Sequence, residues 1–191
     1  VLFEQLKDCQ LELYGDAPVT FDVTWPAPVG PCLLEAELSG ADGQPVRSVR
    51  ELGVVDSRSL GLAFGKKILA SSSRPPAGTP ENAVDGDPTT WWISMDEDSA
   101  WLAVDLDGLH RIGHVRINWA IAYSSAFTVQ ASRDEQTWTD LFVEDDNKGG
   151  VSEIRFAPVE ARHVRISCTK RTTTQTAMEP GYAIRELQVF E

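Results

Sequence analysis

Asp85, Asp87 and Thr90 stand at i, i+2 and i+5 in the stretch Asn82-Ala83-Val84-Asp85-Gly86-Asp87-Pro88-Thr89-Thr90-Trp91-Trp92. Gly86 tolerates positive φ, and Pro88 fixes its own φ and lacks an amide donor. Such a stretch continues neither a helix nor a central strand; it reads as a tight loop with its oxygens turned inward. A hard cation such as Ca²⁺ takes roughly six to eight oxygens, mixing carboxylates with backbone carbonyls. The spacing suits that chemistry. On the loop alone, an Asp-Gly turn that binds nothing is the commoner outcome.

Catalytic chemistry finds less support. The histidines are His110, His114 and His163, and no H-E-x-x-H, G-x-S-x-G or P-loop pattern is present. Cys168 alternates with Val164 and Ile166, so it reads as core and not as a nucleophile. A glycosidase carboxylate pair among the 29 acidic residues is the enzymatic alternative. The expectation is a chain that binds without catalysing.

The elements that must position these residues read as β. Cys9–Leu13, Val19–Trp25 and Cys32–Leu38 alternate apolar with polar residues, and a fourth strand is expected around Pro45–Leu52. Gly15-Asp16-Ala17-Pro18, the Pro26–Pro31 run and Gly40-Ala41-Asp42-Gly43 supply the turns. Residues 1–56 therefore form a small antiparallel β unit, readable as a truncated immunoglobulin-like sandwich. Residues 54–61 read as a polar connector. From residue 60 on, strands are expected at Trp101–Leu106, His114–Trp119, Phe127–Ser132, Val151–Phe156, His163–Thr169 and Ile184–Phe190, with turns at Asp107-Gly108 and Lys148-Gly149-Gly150. Short strands at regular spacing predict an all-β sandwich or barrel over 60–191.

Composition narrows the partners. The 191 residues carry a net charge of −12, which opposes nucleic acid and anionic membranes and favours neutral or cationic partners and metal ions. No run approaches the roughly 18 apolar residues of a membrane span. Val1–Gln5 have no signal-peptide character and no initiator Met, so the chain reads as a piece of a longer, secreted or periplasmic protein. Of three cysteines, Cys9 and Cys32 could pair or could be small buried hydrophobes.

Residues 60–191 resemble the discoidin or factor V/VIII C-type domain, and within it the family 32 carbohydrate-binding modules. The resemblance is carried by blocks in matching order. These are Leu62–Ser72, Ala83–Asp87 through Thr90-Trp91-Trp92, Trp101–Leu106, Phe127–Ser132 through Trp138, Ala161–Ile166 and Ile184–Phe190. It implies a jelly-roll β-sandwich of the galactose-binding type. It also implies a structural Ca²⁺ held by the Asn82 carbonyl, Asp85, Asp87, Thr90, the Arg185 carbonyl and Glu186, which would staple the loop to the last strand. Val19–Trp25 and Cys32–Leu38 are similar to strands of accessory β-sandwiches in multidomain glycoside hydrolases, family 2 enzymes included.

A sugar face needs an aromatic plate and a few polar groups for the hydroxyls. Trp92, Trp101 and Trp138 read as core, and Trp25 belongs to the first unit. Trp91 and Trp119 remain as candidate plates. Trp119-Ala120-Ile121-Ala122-Tyr123 is similar to the W-E-x-A-Y pattern of glucan- and chitosan-binding members, with Ala120 in place of Glu. Tyr182 matches a loop aromatic before the last strand. Asp96 and Glu97, in an acidic run with Asp98, could accept sugar hydroxyls or pair an amino sugar, or form a solvated loop. Arg171 belongs to a polar loop near the same edge. The expected ligand set is Trp91, Asp96, Glu97, Trp119, Tyr123, Arg171 and Tyr182. The expected partner is an oligo- or polysaccharide of glucan or chitosan type more than galactose, alongside other domains of the parent chain. The bland alternative is a structural spacer in a multidomain glycoside hydrolase.

Overall fold

The computed structural model describes residues 30–39, 45–54, 57–172 and 180–191. It divides into two units, Val1–Asp56 and Ser57–Glu191. In the first, β1 (Gly30–Ser39) and β2 (Pro45–Val54) form an antiparallel hairpin running from Ser39↔Pro45 to Gly30↔Val54. The strands expected at Cys9–Leu13 and Val19–Trp25, with Trp25 and the Cys9–Cys32 question, lie outside the described residues and side chains.

In the second unit, Ser57–Leu60 forms a one-turn helix where the sequence reads as connector. Gly61 ends it with φ 76°, and Leu62 N–H donates to the Val189 carbonyl at 2.7 Å. The strands are β3 (Ile68–Ala70), β4 (Trp92–Ile93), β5 (Ala100–Trp119), β6 (Ser124–Ser132), β7 (Thr139–Glu144), β8 (Val151–Arg171) and β9 (Ala183–Phe190). Every pairing is antiparallel.

The pairing makes two layers. Residues 100–105 of β5 lie between β3 and residues 163–168 of β8, which in turn pair with β6 and so reach β7. Residues 114–118 of β5 lie between β9 and residues 151–155 of β8, and β9 carries β4 on its outer side. β5 and β8 thus each serve both layers, and the unit is the expected all-β sandwich. The core between them holds Trp92, Leu102, Val104, Leu106, Ile112, Ile117, Phe127, Ile166, Ile184 and Leu187. Cys168 is fully buried there, and burial pushes its thiol up to about 12, as suits a core residue.

Three strand expectations change. Val151–Phe156 and His163–Thr169 are parts of one strand, β8, whose ladder with β5 runs from Asn118↔Val151 through His110↔Ala161 to Ala100↔Cys168. The turn residues Asp107-Gly108 do not end a strand. Asp107 takes φ 67°, its N–H donates to Asp105 Oδ1 at 2.9 Å, and the β5–β8 ladder shifts register and resumes at His110↔Ala161. The turn chemistry builds a bulge inside one long strand. β7 is additional. Its register slips between Val129↔Phe142 and Gln130↔Asp140, so Leu141 is an extra residue and period-2 alternation fails across Leu141-Phe142-Val143.

One ion pair braces the first layer. Arg162 Nε and Nη2 each donate to the Asp105 carboxylate at 2.8 Å, and these bonds hold its pKa well below the usual range. A depressed carboxylate pKa supplies stability above the unfolded pKa and loses it as pH falls. Asp105→Asn should therefore lower the melting temperature at pH 7. The gap to wild type should close as pH falls below about 4. A melting series against pH checks both, and an unchanged gap at low pH would contradict the pairing.

Candidate functional site

The loop at Asn82–Thr90 is built locally. Pro80–Ala83 form a 3₁₀ turn with proline near its start. Gly86 then takes φ 76°, a conformation L side chains rarely adopt. Asp87 N–H donates to Asp85 Oδ1 at 2.8 Å, an Asx turn that fixes one carboxylate. The Thr90 hydroxyl oxygen sits 2.8 Å from Asp85 Oδ2, 3.1 Å from the Asp87 carbonyl and 3.4 Å from the Asn82 carbonyl. The Asp87 carbonyl also accepts from Thr90 N–H at 3.3 Å, and the one hydroxyl proton cannot serve both Asp85 Oδ2 and the Asn82 carbonyl, so the oxygens outnumber the hydrogens between them.

Glu186 reaches this loop from β9, its Oε2 accepting from Gly86 N–H at 3.2 Å. Its Oε1 is buried without a hydrogen-bond partner. Burial, helped by the charges of Asp85 and Asp87, pushes the carboxyl up to about 7. Asp87 is oriented otherwise than expected. Its carboxylate accepts from Thr89 N–H at 2.8 Å and Thr89 Oγ1 at 2.6 Å, so its carbonyl is what meets Thr90. Among the described residues no three His, Cys, Asp or Glu side chains gather closely enough to hold a metal by themselves. The convergent set is mixed: carboxylate, hydroxyl and carbonyl oxygens, with an unpartnered Glu186 oxygen beside them. That is the donor chemistry of Ca²⁺ more than of a softer metal, and the residues fit the ion.

Arg185 is the extra residue of a bulge. The β5–β9 register steps from Asn118↔Glu186 to Trp119↔Ile184 and skips it. Its guanidinium lies 5.2 Å over the Trp91 ring, and its Nη1 donates to the Pro88 carbonyl at 3.1 Å. Trp91 is half-buried and packs against Ile93, Ala120, Ala122 and Ala183. Asn82 Nδ2 donates to the Trp91 carbonyl at 3.1 Å.

A second group gathers at the Ser94–Asp98 loop. Arg171 pairs with Asp96 at 2.6 Å and donates from Nε to the Glu97 carbonyl at 3.1 Å. The Tyr182 hydroxyl donates to the Asp98 carbonyl at 2.6 Å, and its N–H donates to Ser94 Oγ at 2.9 Å. Thr172 N–H donates to the Tyr123 carbonyl at 3.3 Å, which ties the half-buried Tyr123 to the same edge. The structure thus brings Asp96, Glu97, Arg171 and Tyr182 together, with Tyr123 beside them. Of Thr172–Thr176, residues 173–176 lie outside the described residues.

Two candidate plates are corrected. Tyr182 has no exposed surface, and Trp119 has 3%. Trp119 Nε1 donates to Ser152 Oγ at 2.9 Å, and its ring lies 5.0 Å from Phe127. Both are core aromatics that satisfy their polar atoms internally, so neither offers a ring face to a ligand. Trp101 and Trp138, both read as core, are instead half-buried, and Arg165 lies 4.1 Å over the Trp138 ring. Trp92 is core as expected, its Nε1 donating to the Ser72 carbonyl at 3.0 Å. The supporting residues Arg74, Ser94 and Gly181 escaped the sequence reading. Arg74 Nη2 donates to the Pro180 carbonyl at 2.6 Å, a contact spanning more than a hundred residues with no local signal. Gly181 was findable, because Pro180-Gly181 is a turn signal in the sequence; it has φ 116°, and a Cβ there would lie 2.6 Å from the Ser94 carbonyl. Gly181→Ala should destabilise the Ser94–Asp98 loop, read as faster amide exchange at Ser94 and Tyr182; unchanged exchange would contradict the close packing.

The sandwich agrees with what comparison with known proteins returns. Residues 67–180 match the F5/8 type C domain, and the chain belongs to that family. It is 33% identical over 108 residues to a polysaccharide lyase 8 family protein, HylA, of Enterococcus faecalis, covering 55% of this chain and 8% of that protein. The chain thus spans a small fraction of that relative's length. Chitosan-binding module 1 of a Paenibacillus sp. IK-5 chitosanase/glucanase is 32% identical with a TM-score of 0.64, covering 69% of this chain and 98% of the module. A family 32 module from Clostridium perfringens, solved with GalNAc-β-1,3-galactose, shares the fold at 19% identity and a TM-score of 0.59, covering 65% and 94%.

Proposed function

We propose that residues 57–191 are a non-catalytic carbohydrate-binding module holding a larger glycan-active, secreted or periplasmic enzyme to its polysaccharide. The observation that carries this is the near-complete match to a chitosan-binding module at 32% identity. The relative in the polysaccharide lyase 8 family supports the same setting, since it is named for an enzyme family that acts on polysaccharides. Trp91 and Tyr123 are the remaining aromatic plates, and Asp96, Glu97 and Arg171 supply polar groups. Glucan or chitosan oligomers are favoured over galactosides. With Ala120 where a carboxylate would stand, the ammonium of an amino sugar would take Asp96 or Glu97 as its partner. One stacked ring and a few hydrogen bonds predict a dissociation constant of ~0.1–1 mM.

Asn82, Asp85, Asp87, Thr90, Arg185 and Glu186 would hold Ca²⁺, with Asp87 and Arg185 contributing carbonyls. The ion would supply positive charge that compensates Asp85 and Glu186 and ties the loop to β9. The residues themselves fix the loop by the Asx turn and the Glu186–Gly86 bond.

The burial of Trp119 and Tyr182 favours a second reading, a structural spacer without a sugar site. A screen of the purified chain on a glycan array, followed by calorimetry, separates the two. Binding to a glucan or chitosan oligomer in the stated range is the expected result; no binding to any glycan would leave the spacer. Turnover of chromogenic glycosides in the same screen would overturn the non-catalytic assignment.

A further inference from the structure

The metal loop and the Trp91 ring share fasteners. Asn82 gives its carbonyl to the oxygen cluster around Thr90 and its side-chain amide to the Trp91 carbonyl. Arg185 stands in a β-bulge next to Glu186. Its side chain turns back over the loop, donating to the Pro88 carbonyl and lying over the Trp91 ring. A cation that draws Asn82, Asp87 and Thr90 together necessarily acts on Pro88 and Trp91, because they lie between and beside those donors in the chain. Ile93 and the small side chains of Ala120, Ala122 and Ala183 pack against Trp91. Arg185 is the polar contact made to the ring itself, while Asn82 holds the Trp91 backbone.

From this we infer that Arg185 is a positioning residue that couples calcium occupancy of the 82–90 loop to the orientation of the Trp91 plate, so that calcium tightens carbohydrate binding on that face. This rests on the carbohydrate-binding reading for its consequence, but the coupling itself is a property of the protein and calcium alone. Removing the Arg185 side chain leaves its carbonyl in place, so the ion and the coupling can be separated.

The test is ¹⁹F NMR of the protein labelled with 5-fluorotryptophan, with the Trp91 line assigned by its loss in Trp91→Phe. Calcium added without sugar should shift the Trp91 line and raise the melting temperature of wild type. In Arg185→Ala the melting temperature should still rise while the Trp91 shift is largely lost. Arg185→Lys, which keeps a cation near the ring, should recover part of it. With chitotriose as the probe, calcium should tighten binding about two- to fivefold in wild type and not in Arg185→Ala, the range a cation–π contact supplies. An Arg185→Ala line that shifts as in wild type would overturn the coupling, as would a wild-type line that ignores calcium while the protein is stabilised. Loss of chitotriose binding with the calcium-dependent shift intact would count against the sugar site alone and leave the coupling standing.

Discussion

Calcium at about a hundred times its dissociation constant should raise the melting temperature by roughly 8–13 °C. Binding to the native state alone stabilises by about 2.7 kcal/mol at that ratio, and a domain of this size gains roughly 3–5 °C per kcal/mol. The gain should grow with pH. Glu186 has its carboxyl pushed from 4.5 to about 7 by burial and by the charges of Asp85 and Asp87. A raised folded-state pKa supplies stability below the unfolded value and loses it as pH climbs through the folded value. Metal-free protein should therefore lose stability from about pH 4.5 to 7, by about 1–2 kcal/mol after allowance for partial solvent screening. Bound calcium compensates the ionised carboxylate, so the calcium increment should be larger at pH 8 than at pH 5. Glu186→Gln should flatten the pH dependence of the metal-free protein and shrink the increment. Melting curves in chelator and in calcium at both pH values check this; an increment independent of pH would contradict the assignment of Glu186.

Tyr182→Ala should cost about 3–5 kcal/mol, enough to unfold much of the protein at moderate temperature. The ring is fully buried in the core, and its hydroxyl satisfies the Asp98 carbonyl, so truncation leaves a cavity and an unpaired acceptor together. Tyr182→Phe should cost only about 1 kcal/mol. That contrast separates a core role from a ligand role. A sugar-stacking tyrosine would lose binding and keep its stability on truncation. This one should lose stability first. Chemical denaturation of the two variants decides it, and an Ala variant as stable as wild type would contradict the packing.

The turn at Asp85–Thr90 was legible because its signals are local. Gly86, Pro88 and the Asp spacing dictate a turn whatever surrounds them. Even so, the orientation of Asp87 was not legible, because Thr89 competes for its carboxylate and only the folded loop shows which contact wins. The sandwich was legible from period-2 strands and from family blocks. The merging of Trp101–Leu106 with His114–Trp119 was not, because a bulge and a chain reversal use the same Asp-Gly chemistry. Trp119 and Tyr182 read as ligand aromatics because sequence gives residue type and neighbours but not depth. Their burial is decided by partners such as Ser152 and Ser94, far away in the chain. The side chain of Arg185 was missed for the same reason: its bulge depends on pairing with β5.

Calorimetric titration of wild type and Trp91→Ala with chitosan and glucan oligomers, in calcium and with matched melting curves, tests the carbohydrate-binding assignment most directly. Wild type should bind one of these with a dissociation constant of ~0.1–1 mM, and Trp91→Ala should lose at least about tenfold in affinity with little change in stability. A wild type that binds none of them, or a Trp91→Ala variant that binds as tightly, would contradict a sugar face built on Trp91.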